Sequence, residues 1–258
     1  MKMIDTNTVS AIQQLMREAG SIAVQKHASV AIQYKADRSP VTDVELEIDR
    51  KITGFLRQEF PDTLILSEES GLSGKAGQSA WILDPIDGTR VYINGLPTWG
   101  ILLGLIENGR PTYGFFYMPR SNDFYLGTPQ GAYLNGNPLP ASPLIKPDDR
   151  LAFLAAPTNF HLKYKIDFPR IRALGSTAAN FCYCAQGAAI GVLTRNTSLW
   201  DVAGVMPIIQ GTGLACEFLS GKPFDPQLYL DGKKLPEELL VGHPQILPVL
   251  RSQIHALG

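Results

Sequence analysis

The nine residues Trp81-Ile82-Leu83-Asp84-Pro85-Ile86-Asp87-Gly88-Thr89 decide how this chain is read. Trp81 to Leu83 is an apolar run that predicts a buried strand. Asp84-Pro85 then forces an extended exit, because the proline ring disfavours the helical region for the residue before it. Two carboxylates therefore stand together at a strand end, followed at once by Gly88 and Thr89. Acids held this close repel each other unless a proton or a cation lies between them, and hard divalent ions such as Mg2+ prefer oxygen ligands of this kind. Gly88 lets the backbone approach a ligand closely, and its N–H and that of Thr89 can face a phosphate oxygen where a helix begins. Taken alone, Asp-Pro-Ile-Asp-Gly also reads as turn punctuation.

Two further segments favour the chemical reading. Thr63 to Leu66 is a second short apolar run, and it leads into Ser67-Glu68-Glu69-Ser70-Gly71. Trp200-Asp201-Val202-Ala203-Gly204 places another acid at the start of an apolar helix, where the alternative is a simple N-cap. Three acidic strand or helix ends with this flanking chemistry suggest one site.

With these motifs in hand, the chain resembles the inositol monophosphatase family of metal-dependent phosphatases. WILDPIDGT matches the first family signature, Trp200 to Gly213 (WDVAGVMPIIQGTG) the second, and Ser67 to Gly71 the acidic motif. Arg38-Ser39-Pro40-Val41-Thr42-Asp43 resembles the segment carrying the water-activating aspartate, and Arg172-Ala173-Leu174-Gly175-Ser176 the substrate-side loop. The motifs run in the family's order over nearly the whole chain. The resemblance implies an α+β fold, a layered α/β/α/β/α sandwich of two lobes with the active site between them. It also implies a homodimer and two or three Mg2+ ions. Glu68, Asp84, Asp87, Asp201 and the backbone carbonyl of Ile86 are the metal ligands so implied. Asp43 and Thr89 correspond to the pair that orients the attacking water, with Glu68 beside them. Gly88, Thr89, Gly175, Ser176 and Thr177 are expected at the phosphate and substrate.

Composition agrees with an enzyme of this kind. The 258 residues, 45% hydrophobic and 18% charged, can bury a sizeable core. A formal net charge of −1 gives no electrostatic reason to expect a nucleic acid polymer or an anionic membrane as partner, so a small phosphorylated substrate is the expected one. The N-terminal stretch reads as an amphipathic helix rather than a signal peptide or membrane span, which favours the cytoplasm. Three cysteines cannot all pair, and Cys182 and Cys184 lie in an apolar segment, so free buried thiols are expected. The four histidines show no ligand spacing.

Along the chain, helices are predicted up to about residue 25, from Thr42, and over 175–186 and 201–210. Strands are predicted at 63–66, 81–84, 98–106, 112–118, 151–156, 188–193 and 214–219. Asn108-Gly109 and Asn135-Gly136 signal hairpins. The proline-rich stretch from Asn137 to Asp149 is the boundary candidate, giving an N-terminal lobe of residues 1–140 and a C-terminal α/β lobe of residues 141–258.

Specificity is expected to lie in the second lobe. Family members that prefer inositol phosphates carry an acid seven positions before the second-motif aspartate, and Thr194 stands there, beside Arg195. Threonine and arginine cannot accept hydrogen bonds from a diol as a carboxylate does. Arg90, Lys75 and Arg195 read as solvated side chains, one of which could reach a second anionic group. Only Pro157 to Arg170 separates the strand ending at Ala156 from the loop at Gly175, too little for the helix usual in the family. Gly95 to Pro111 looks like the histidinol-phosphate phosphatase branch, and the 3'(2'),5'-bisphosphate nucleotidase branch shares the metal motifs. The leading expectation is a phosphatase of inositol or sugar phosphates. A dehalogenase-type phosphatase has one residue between its two aspartates, whereas two separate Asp84 from Asp87. A catalytically silent, protein-binding relative would be expected to have lost a ligand, and all four acids are present.

Overall fold

The structure, a computed structural model, describes residues 4–75 and 77–257. Helix α1 (Thr6–Lys26) and helix α2 (Asp43–Glu59) flank a short hairpin of β1 (Ile32–Tyr34) and β2 (Pro40–Thr42). Asp5 caps α1 by accepting from Thr8 N at 2.8 Å, and Thr42 caps α2. The main sheet follows, from β3 (Leu64–Ser67), β4 (Gly71–Gly74), β5 (Ser79–Asp87), β6 (Gly100–Glu107) and β7 (Arg110–Met118) through β8 (Asp123–Thr128), β9 (Gly131–Leu134) and β10 (Asn137–Pro138). Helix α3 (Thr89–Ile93) leaves the end of β5. Both predicted hairpin turns are present. Asn108 and Gly109 both have positive φ between β6 and β7, as do Asn135 and Gly136 between β9 and β10.

The spatial order is β10-β9-β8-β7-β6-β5-β3-β4, antiparallel except where β3 runs parallel to β5. That one parallel pair brings two strand C-termini together. Ser67 registers with Leu83, and Glu68 N donates to Leu83 O at 3.1 Å, so Glu68 emerges beside Asp84.

The second sheet takes β11 (Leu154–Ala155), β13 (Ile171–Arg172), β14 (Gly191–Leu193), β15 (Ala215–Phe218) and β16 (Leu239–Gly242), in the order β13-β11-β14-β16-β15. β12 (Tyr164–Ile166) pairs instead with β17 (Ile254–Ala256). Helices α4 (Thr177–Ala185) and α5 (Met206–Gly211) lie between the two sheets, and α6 (Leu247–Ser252) packs beyond the second. Alternation along the strands sorts the core. Ile65, Trp81, Leu83, Ile101 and Phe115 face α1 and α2, whereas Leu66, Ile82, Leu102 and Phe116 face α4 and α5. Leu240, Leu247 and Leu250 belong to the outer cluster. The layers are therefore α/β/α/β/α, as the resemblance implied.

Some elements differ from the sequence reading. The helix expected at 201–210 is a 3-10 turn at Leu199–Asp201 followed by α5, because Pro207 belongs in a first helical turn and starts the helix late. The strand expected at 151–156 is confined to two residues, and β16 was not anticipated. Between β11 and β13 lie only a 3-10 turn (Phe160–Leu162) and β12, consistent with the shortened segment.

Two glycines on the main sheet fix where Asp201 sits. Gly104 and Gly114 are cross-strand partners, and the chain at Ala203-Gly204 presses directly onto them. A Cβ on Gly114 would lie 2.0 Å from Gly204 O, and one on Gly104 2.7 Å from Ala203 C, both backbone atoms that cannot swing aside. Gly114→Ala is expected to lift this segment and Asp201 with it. The overpacking should cost about 1–3 kcal/mol, a fall in Tm of roughly 2–12 °C in a metal-free melt. An unchanged Tm would show that the close approach can be relieved locally.

Candidate active site

In a regular strand, residues three apart point to opposite faces. Asp84 and Asp87 nevertheless share one. Asp84 registers with Leu102 and Asp87 with Gly100, so three steps on β5 oppose two on β6 and a bulge lies at Pro85-Ile86. Proline suits this position because it has no N–H to lose from the ladder. Ile86 returns to the face of α1 and α2, and Asp84 and Asp87 both turn toward α4 and the Leu199–Asp201 turn. Ligand oxygens of Asp84, Asp87 and Asp201 lie within 4.8 Å of one another.

Each acid is aimed by backbone donors. Asp84 Oδ1 accepts from Ile86 N at 3.1 Å, and Asp201 Oδ2 from Ser198 N at 2.6 Å. Asp87 sits at the start of α4, accepting from the Ser176 hydroxyl, from Thr177 N at 3.2 Å and from Ala178 N at 2.9 Å. Ser176 Oγ also caps α4 by accepting from Ala179 N at 3.0 Å. Ser176 and Thr177, expected to touch substrate, thus have these groups engaged with Asp87. Gly175, with φ +90°, must be glycine because a Cβ would meet Val91 Cγ2 at 2.2 Å.

Glu68 stands at the edge of this cluster rather than inside it. Its Oε1 is 2.9 Å from Lys35 Nζ, which also pairs with Glu69 at 2.7 Å. Burial alone would lower the Lys35 ammonium, but Glu68 and Glu69 outweigh it and hold its pKa raised. The loop carrying Glu68 is pinned from α2, where buried Asp49 accepts from Ser67 Oγ and from Ser70 Oγ.

One expected pair is corrected. Asp43 Oδ1 accepts from Ala31 N at 2.9 Å, tying α2 to the hairpin, and Thr89 pairs with Glu45. Thr89 Oγ1 donates to Glu45 Oε1 at 2.6 Å, while its distance to Ile86 O is 3.4 Å. Glu45 Oε2 accepts from Thr42 N at 2.6 Å and Thr42 Oγ1 at 2.7 Å. One carboxylate therefore closes the capping box of α2 and holds Thr89. The Thr42-x-x-Glu45 spacing is the sequence signal for such a box and was available to find it. Two positions separate Asp43 from Glu45, and helical geometry turns them about 200° apart.

Gly88, with φ +96°, precedes α3, so first-turn N–H groups from Thr89 onward lack intrahelical acceptors. Thr194 and Arg195 do line the adjoining cavity, together with Arg90, Gly175, Ser176 and Thr177. Thr194 is 3% exposed, and its Oγ1 accepts from Leu239 N at 2.9 Å. That hydroxyl oxygen thus closes the second sheet while the residue lines the cavity.

Burial raises the pKa of all three clustered acids. Asp84 is pushed well up by burial and then by Glu68, Asp87 and Asp201, and Asp201 by burial and then Glu68. Asp87 rises to about 6 despite its three donors. No Lys, Arg or His forms an ion pair with any of the three among the described residues. All-oxygen donors, mutual repulsion and the lack of a directly paired basic side chain among the described residues fit a hard divalent cation.

The layered fold and a largely buried acidic triad are those of a class of metal-dependent phosphatases. The chain belongs to the inositol monophosphatase family, whose family model matches residues 4–246. It is 33% identical over 187 residues to a fructose-1,6-bisphosphatase/inositol-1-monophosphatase of Thermotoga maritima, covering 70% of this chain and 72% of that one. It is 27% identical over 233 residues to a histidinol-phosphatase of Chlorobaculum parvum, covering 86% and 88%. The solved structure of an extragenic suppressor protein suhB from Bartonella henselae superposes with a TM-score of 0.83 at 20% identity, covering 96% and 98%. The family assignment makes the chain a phosphoric monoester hydrolase. No helix among the described residues is long and apolar enough to cross a membrane.

The raised acids set the sign of the pH dependence. Between the ordinary aspartate value of about 4 and the raised folded value, about 6 for Asp87, the folded chain holds more protons than the unfolded one. Metal-free stability should therefore fall as pH rises through that window, and a divalent cation should restore it at the cost of released protons. Melts from pH 4 to 8 with chelator or Mg2+ check this: the Mg2+-induced rise in Tm should grow with pH. Asp84→Asn removes a carboxyl whose ionisation burial and its acidic neighbours oppose, so metal-free stability at pH 7 should increase by about 1–2 kcal/mol, a rise in Tm of roughly 2–8 °C, and the Mg2+ response should disappear.

Proposed function

We propose that this chain hydrolyses phosphate monoesters of inositol or sugars with Mg2+, two or three ions being held by Asp84, Asp87, Asp201, Glu68 and the Ile86 carbonyl. The observation that carries the reading is the triad of carboxylates within 4.8 Å beside the Thr89–Glu45 pair. When bound, Mg2+ would supply Lewis-acid activation of the attacking water and of the phosphoryl oxygens. Thr89 Oγ1 has its single proton directed to Glu45, so its lone pairs face the cleft as acceptors. A water donating to Thr89 Oγ1 is thereby oriented, and its proton passes through the hydroxyl to Glu45 Oε1. Burial, opposed by its hydrogen bonds from Thr89 and Thr42, sets the Glu45 pKa at about 7, suited to taking a proton near neutrality. First-turn N–H groups from Thr89 would meet the phosphate. A homodimer in the cytoplasm accords with the family resemblance and with three free cysteines.

Glu45→Gln keeps an oxygen acceptor but cannot take the proton, so kcat should fall about 100-fold or more with little change in KM. Release of inorganic phosphate from inositol 1-phosphate and sugar phosphates, with and without Mg2+, tests the reading as a whole. In labelled water the label should enter phosphate and no phosphoprotein should accumulate. A trapped aspartyl-phosphate at Asp84 or Asp87 would replace water with a protein nucleophile.

A further inference from the structure

A cavity of about 620 Å³ opens beside the acidic triad, and Ser176 and Thr177, which hold Asp87, form part of its wall. It is where the alcohol part of a phosphate ester bound at the triad would lie. Its titratable lining is one-sided. Arg90 and Arg195 enter it from the two lobes, and neither Asp nor Glu is among its lining residues. Neither arginine forms an ion pair among the described residues. Arg90 is exposed directly after Thr89, and Arg195 donates through Nη1 to Asn159 O at 3.2 Å while its Nε is buried with no partner.

Asn180, 5% exposed on α4, also lines the cavity, and its Oδ1 has no hydrogen-bond partner. A buried amide oxygen without a donor costs roughly 1–3 kcal/mol, and a substrate hydroxyl would satisfy it. Two guanidiniums without counter-charges, in a site that already binds one phosphoryl group elsewhere, match a second anion through charge-assisted, forked hydrogen bonds.

We infer that the preferred substrate is a hydroxylated phosphate monoester whose alcohol portion carries a second anionic group, a phosphoryl or a carboxylate, held by Arg90 and Arg195 with Asn180 accepting from a hydroxyl. This rests on the phosphatase reading above and narrows its substrate class. The same field opposes a cationic alcohol such as histidinol, whose ammonium would face the guanidiniums.

Matched pairs test it in Mg2+. Glucose 1,6-bisphosphate against glucose 1-phosphate asks for a second phosphoryl group, and 3-phosphoglycerate against glycerol 3-phosphate asks for a carboxylate. In at least one pair kcat/KM for the doubly anionic member should exceed that of its partner about tenfold or more, mostly through KM, and the pair that discriminates identifies the anion. Arg90→Gln and Arg195→Gln should each bring that ratio toward one, and Asn180→Leu should raise KM for both members together. Ratios near one in both pairs, with all esters hydrolysed, would overturn this inference and leave the phosphatase reading standing. No phosphate release from any of these esters, nor from p-nitrophenyl phosphate, would overturn both. Faster turnover of histidinol phosphate than of either doubly anionic ester would also overturn the inference.

Discussion

Two carboxylates on one strand can share an ion only if they share a face, and the three-residue offset between Asp84 and Asp87 forbids that in a regular strand. The bulge at Pro85-Ile86 supplies the missing half-period. Much of the site depends on it. With the bulge, Asp87 reaches the start of α4, where Ser176, Thr177 and Ala178 hold it, and Asp84 faces Asp201. Without it, one of the acids would point into the core occupied by Trp81 and Leu83.

The remaining acids are positioned by contacts between elements far apart in the chain. Parallel pairing of β3 with β5 sets Glu68 beside Asp84, and Asp49 on α2 fixes the same loop from below. Asp201 is located by the seating of Ala203-Gly204 on Gly104 and Gly114. The result is an electrostatically costly cluster, since burial and mutual repulsion raise all three of its pKa values. Packing elsewhere in the layers offsets that cost, and a bound cation would relieve it. Pre-assembled charge of this kind needs little rearrangement when a ligand arrives, which is the usual physical basis of electrostatic catalysis.

Substrate selection would lie on different residues. On the proposed function the triad would recognise only what all phosphate esters have in common, so discrimination would fall to the cavity built by α3, α4 and the end of β14. Its polar groups are donors in excess of acceptors, the reverse of what a pocket for an uncharged polyol would carry.

The sequence by itself determined the apolar runs of the strands, the two Asn-Gly hairpins, the acids that cluster at the ends of β5 and the Leu199–Asp201 turn, and the layered family fold. These are set by local periodicity, by turn residues with few permitted conformations and by a dense signature. The capping box at Thr42 is equally local, yet nothing nearby says which first-turn carboxylate, Asp43 or Glu45, meets Thr89, 44 residues on from Glu45. Only the tertiary structure decided that pairing, the spending of the Thr194 hydroxyl oxygen on Leu239 N, the late start of α5 and the convergence of Arg90 with Arg195. Partners so distant in sequence are chosen by how the layers stack, and that packing leaves no periodic trace in the local sequence.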